Sequence, residues 1–146
     1  MTTPATYDDA NLILRLYEMR RETKMREARA WFVKNFYCKT VEEYQHVAPP
    51  GTDENAYMRQ VITYWEMVAS LITSGVLNEH LFFQSGQELL LVWTRIEKVC
   101  PTLRSAFGNP GMWRNIEEVA GRYIAYMNQN AAGAYEAFAA RVSPHR

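Results

Sequence analysis

The stretch TDENAYMRQVITYWEMVASLITSG, Thr52 to Gly75, decides the fold class. It has no glycine or proline before its last residue, and its polar residues are few and aligned: Arg59, Thr63, Glu66, Ser70, then Thr73 or Ser74. Steps of three and four residues join neighbours on one face of a helix. Between them stand Val61, Ile62, Tyr64, Trp65, Val68, Leu71 and Ile72. A narrow wet stripe on an otherwise apolar helix marks a helix touched on most sides, in the middle of a bundle. Thr52 or Asp53 offers the N-terminal cap, and Gly75 stands in the C-terminal stop position.

The flanks obey the same rule. No glycine or proline occurs from Ala5 to Ala48 or from Gln87 to Cys100. Apolar residues recur there at helical spacing, and no stretch alternates as a strand would. A first helix is expected from about Asp8 to Phe36, with Thr6, Asp8 and Asp9 at its start. Thr40-Val-Glu-Glu43 fits a capping box for a short helix that ends before Pro49-Pro50-Gly51. After the central helix, Asn78 caps another that runs to about Cys100, before Pro101. Phe82, Leu89, Trp93 and Ile96 form its buried line, with Gly86 on that line, where a neighbouring backbone can come close. Residues 102–108 suggest one short helical turn. Asn109-Pro110 reads as a cap followed by proline in the first helical position. Trp113, Ile116, Val119 or Ala120, Tyr123 and Met127 then mark the last long helix. Asn128-Gln129-Asn130 leaves open whether the chain to Val142 is one helix or two. Each long helix carries one tryptophan (Trp31, Trp65, Trp93, Trp113), expected as a core anchor. The expectation is an all-α fold: an antiparallel bundle of four long helices with one or two additional short ones. It forms a single domain over 1–146, with 1–7 and 143–146 as flexible ends.

Composition narrows the function. Among 146 residues, 48% are apolar and 22% charged, ordinary values that exclude wholesale disorder. No unbroken apolar run exceeds five residues, so no membrane span is expected. Met1-Thr2-Thr3-Pro4 does not begin a secretory signal. The formal net charge is zero, without the basic field that nucleic acid needs. That balance hides blocks of +3 over 1–41, −6 over 42–88 and +3 over 89–146. Cys38 and Cys100 stand alone, which suggests reduced thiols in a cytoplasmic protein, although pairing between them stays open. His46, His80 and His145 are scattered, with no metal-ligand spacing. No nucleophile–base motif is present, so no catalytic residue and no cofactor is expected.

One segment breaks the pattern. The line Ile13, Tyr17, Ala28, Trp31 is apolar at both ends, but Arg20 or Arg21 and Lys24 occupy its middle. Cations on such a face must snorkel, overhang the bundle or meet carboxylates. Glu66 is the first partner to expect and Glu88 the second. The arrangement reads as a charge network between helices, as a solvated face, or as an anion pocket built from guanidinium forks. Glu18, Glu22 and Glu27 interleave with these cations, which weakens any nucleic-acid reading of the segment.

Several stretches carry a resemblance. These are Tyr17-Glu-Met-Arg-Arg-Glu-Thr-Lys-Met-Arg-Glu-Ala-Arg-Ala-Trp-Phe32, Asn55-Ala-Tyr-Met-Arg59, Tyr64-Trp-Glu-Met-Val-Ala-Ser-Leu-Ile72 and Gly75-Val-Leu-Asn-Glu-His-Leu-Phe-Phe83. Together, over Leu16 to Val99, they resemble a family of small bacterial helical proteins with a domain of unknown function. The resemblance implies a soluble all-α domain and supplies no site residues. The function expected first is a non-enzymatic protein–protein interaction module, self-associating or bound to a protein partner. The alternative is a small-ligand or anion binder, or an enzyme, with a charged site around Arg20, Arg21, Lys24 and Glu66.

Overall fold

The computed structural model describes residues 3–144, which form nine helices and no strand. They are α1 (Tyr7–Arg20), α2 (Thr23–Asn35), α3 (Val41–Val47), α4 (Asp53–Thr73), α5 (Glu79–Phe83), α6 (Gln87–Ile96), α7 (Cys100–Ala106), α8 (Arg114–Asn130) and α9 (Ala134–Val142). As expected, α4 is the central post, with α2 and α8 as its chief neighbours and α6 beside it. Eight of its side chains are buried, Trp65 among them. Thr52 caps it by accepting from the Asn55 N–H, and Gly75 ends it at φ +78°, in the left-handed region that favours glycine.

Two of the expected long helices are broken. The first divides at Arg21-Glu22, where Glu22 turns extended (ψ 144°) and its carboxylate accepts from the Met25 N–H at 3.0 Å. The N–H groups of Lys24 and Met25 hold the Glu22 carboxyl below the usual carboxylate range. A glutamate cap without glycine or proline beside it leaves no break in the sequence pattern. The second division lies at Gln84–Gly86. A Cβ at Gly86 would collide with the Phe82 ring, so the close neighbour is that ring and not another backbone. Pro101 lies in the first turn of α7, where its missing N–H costs nothing, so it starts a helix instead of following one.

The last long helix begins later than expected. Asn109 accepts from the Gly111 N–H within a turn, and α8 starts at Arg114 after Trp113, a non-glycine residue at φ +59°. The open question at 128–130 resolves into two helices. Gly133 (φ +77°) turns the chain, and the Asn128 side chain accepts from the Tyr135 N–H. At Thr40 the capping box is half formed. Thr40 accepts from the Glu43 N–H, but the Glu43 carboxylate takes the Lys39 N–H. Of the four tryptophans, Trp65 and Trp93 are buried, while Trp31 and Trp113 pack half-buried against the core. Cys38 and Cys100 are both buried, and no disulfide joins them. At the N-terminal end, the Thr3 carbonyl accepts from Asn78, and Thr6 with Asp9 forms a capping box. Residues 1–2 and 145–146, His145 included, lie outside the described residues.

The sequence reading missed a buried arginine. Arg95 on α6 is 4% exposed, and its guanidinium donates to the carbonyls of Val33 and Phe36 at 2.9 Å and of Val142 at 2.9 Å. Those carbonyls end α2 and α9, at the negative poles of their dipoles. Burial pulls the Arg95 pKa down, yet an arginine so placed stays charged. It ties three helices together, and among the described residues it has no carboxylate partner. Arg95→Met should lower stability by about 3 kcal/mol, because it leaves buried carbonyls without donors. Arg95→Lys should recover part of that loss. Urea denaturation midpoints measure both, and an unchanged midpoint for Arg95→Met contradicts this role.

Candidate functional site

The four residues expected to form a charged site do not come together. Glu66, on the wet stripe of α4, meets none of the three cations. Its carboxylate accepts from the Ile116 N–H at 2.8 Å, the Asn115 N–H at 3.2 Å and the Asn115 side chain at 2.9 Å. Thr73, further along the stripe, donates to the Asn115 side chain at 2.8 Å. A carboxylate at a helix N-terminus satisfies orphan N–H groups and complements the dipole. Glu66 is thus a cap for α8 supplied from another helix. It also serves a start that needs one, because a left-handed tryptophan costs about 1–2 kcal/mol and Trp113 makes no side-chain cap of its own.

Arg20 does meet an acid, and it is Glu88, the second partner expected. The Arg20 Nη2 lies 3.3 Å from Glu88 Oε2. A closer cation was not foreseen: Arg29 Nε donates to both Glu88 oxygens at 3.0 and 2.9 Å. Arg29 also donates to the Arg20 carbonyl at 3.2 Å, which closes the C-terminal end of α1. No spacing rule pointed to Arg29, because counting along one unbroken helix places it wrongly relative to Arg20. Arg21 and Lys24 are exposed, and Arg21 lies over the Tyr17 ring at 6.0 Å.

Beside this network, α1, α4 and the α5–α6 turn enclose a half-open cleft. Ile13, Leu16, Tyr17, Tyr64, Trp65 and Phe82 wall it, and Arg20 is the one charged residue among its lining residues. The cleft is small, about 30 Å³. The Arg20 guanidinium lies 5.1 Å from the centre of the Trp65 ring and 5.6 Å from that of Tyr17, a cation held by aromatic faces. The Tyr64 hydroxyl donates to the Leu16 carbonyl at 2.6 Å, pinning α1 to α4. Burial pushes the Tyr64 pKa up to about 12.

On its other side α1 is open. Asn11, Leu14, Arg15, Glu18, Met19 and Glu22 line a shallow groove along its outer face, all of them exposed. A second groove, shared at Met19 and Glu22, continues to Met25 and Met67. Leu14 is 61% exposed, far more than a core-facing leucine. Among the described residues no cluster of His, Cys, Asp or Glu could hold a metal ion, and no helix is long and apolar enough to cross a membrane.

Residues 5–123 match the family described as a domain of unknown function (DUF4760), and the chain belongs to that family. The match takes in α1 through α7 and α8 as far as Tyr123, and leaves α9 beyond it. No curated protein and no solved structure matches the chain.

Glu66→Ala should destabilise the fold by about 1–2 kcal/mol, the scale of a lost N-cap with its dipole contact. Chemical denaturation measures it, and a change below a few tenths of a kcal/mol contradicts the cap. The raised Tyr64 pKa adds a pH dependence. A phenol that ionises near 10 when unfolded and near 12 when folded contributes stability in full below pH 10. That contribution fades as pH rises toward 12. Tyr64→Phe should flatten this alkaline fall in melting temperature, and an unchanged alkaline slope contradicts the assignment.

Proposed function

We propose that this protein is a non-enzymatic helical interaction module that pairs with a second copy of itself through the outer face of α1. One observation carries the reading: the six residues lining the α1 groove are ordered as a palindrome. When two copies of α1 are laid antiparallel about a point between Leu16 and Tyr17, Leu14 opposes Met19 of the other copy. Arg15 then opposes its Glu18, and Asn11 opposes its Glu22. A two-fold interface needs this self-complementarity, in which residue i meets j and j meets i. The two ion pairs lie nearest the two-fold axis, the two apolar pairs stand beside them, and the two polar pairs lie outermost.

The absence of a nucleophile–base motif in the sequence supports the non-enzymatic part of the reading. Two buried thiols not joined by a disulfide support a reducing, cytoplasmic setting. A helix of 14 residues is about 21 Å long, so its face alone covers less than the roughly 800 Å² per partner of a standard interface. The dimer is therefore reversible.

Sedimentation velocity over a concentration series tests this. The expected result is a monomer–dimer equilibrium for the wild type. Arg15→Glu, which sets like charges against Glu18 of the other copy, should give a monomer with an unchanged melting temperature. Joining it to Glu18→Arg should restore the dimer. A wild type that stays monomeric throughout, or a double variant that dimerises no better than Arg15→Glu, contradicts the proposal.

A further inference from the structure

The outer face of α1 begins with a side chain that the fold leaves uncovered. Tyr7, the first residue of the helix, is 82% exposed, more than any other large apolar side chain among the described residues. It stands four residues before Asn11, on the same face of α1 as the palindromic groove. An exposed tyrosine on its own is ordinary. Its place in the pairing geometry is what gives it meaning.

The second groove is the matching feature. It opens from Met19 and Glu22, near the end of α1, and runs between the start of α2 and α4. Met25 and Tyr64, both buried, form its floor, and Met19 and Met67, 45% and 36% exposed, form its walls. Its volume is about 390 Å³, room for a phenol ring. Methionine sulfur makes favourable contacts with aromatic rings, and the flexible side chain adapts to what it meets. Gln60 and Glu22, at the lining, supply polar partners for a hydroxyl.

We propose that this groove receives Tyr7 of the second copy, an inference that rests on the α1 pairing proposed above. In that pairing Asn11 of the other copy stands opposite Glu22. Its Tyr7 comes about 6 Å further along the axis, four residues at helical rise. That carries the ring past Glu22, to the groove that opens there. The two-fold axis repeats the contact, so two tyrosines enter two grooves at opposite ends of one interface. Area favours the same occupant. The α1 face alone falls short of a standard interface, and a buried tyrosine adds roughly 150–250 Å². One symmetry operation thus covers both the exposed ring and the methionine groove.

The test is sedimentation velocity joined to a local readout. Tyr7→Ala and Met67→Ala remove exposed side chains, so their melting temperatures should match that of the wild type. Each should weaken the dimer at least tenfold. The double variant should weaken it no further than the more damaging single one, the non-additivity of two residues that touch. In ¹H–¹³C spectra, the Met67 methyl signal is identified by its loss in Met67→Ala, or in Met67→Leu should the alanine variant fail to fold. It should move upfield as protein concentration rises, because it comes under the Tyr7 ring. In Tyr7→Ala that movement should vanish. A wild type that never dimerises contradicts the α1 pairing and this contact together. A wild type that dimerises overturns this contact alone if Tyr7→Ala dimerises equally well, or if the Met67 signal stays in place. The groove then stays open to solvent in the dimer, and the α1 pairing stands.

Discussion

Everything in this fold is arranged around α4 and the single polar stripe that it retains. A helix buried on most sides gains from every apolar residue and loses from every unpaired polar one. Its neighbours must therefore either cover apolar surface or satisfy the stripe. α2 does the first, with Met25, Ala28 and Phe32 buried along it. α8 does both. Ile116, Val119, Ala120 and Tyr123 join the core, while the first N–H groups of α8 rest on Glu66. The same residue that breaks the apolar surface of α4 thus fixes where α8 begins.

The edge of the molecule follows from this centre. With α4 enclosed by α2, α8 and α6, α1 is left at the periphery, packed mainly on α2 and α5. It is held by a few polar ties: the Tyr64 hydroxyl to Leu16, Arg29 to the Arg20 carbonyl, and the Asp9 carboxylate to the Asn78 N–H. The N–H groups of Thr6 and Asn78 hold the Asp9 carboxyl below the usual carboxylate range. A peripheral helix keeps two flanks free. One borders the cleft that contains Arg20, and the other is the palindromic groove. The proposed pairing through that groove therefore depends on α1 being mounted on the core rather than built into it.

Fold class was legible because periodicity is a local property. The stripe from Arg59 to Ser74 and the stop at Gly75 fixed α4 almost to the residue. Breaks without glycine or proline were not legible. The one at Glu22 depends on a carboxylate folding back on its own backbone, and the late start of α8 depends on an acid 49 residues away. At the candidate site, the anomaly at Arg20 was visible as a cation on an apolar line, and Glu88 was within view. Arg29 was not, because its position relative to Arg20 depends on that hidden break. Arg95 left a fainter trace, a cation beside Val92, Ile96 and Val99 whose partners are backbone carbonyls that no sequence pattern shows.

Native-state hydrogen exchange tests most directly the claim that α4 is the post and α1 an attachment. The account predicts that amides of α4 from Val61 to Ile72 exchange only through global unfolding. Those of α1 should exchange through a separate, lower-energy opening that leaves α2, α4 and α8 protected. Protection in α1 equal to that in α4, lost together in one transition, would contradict it.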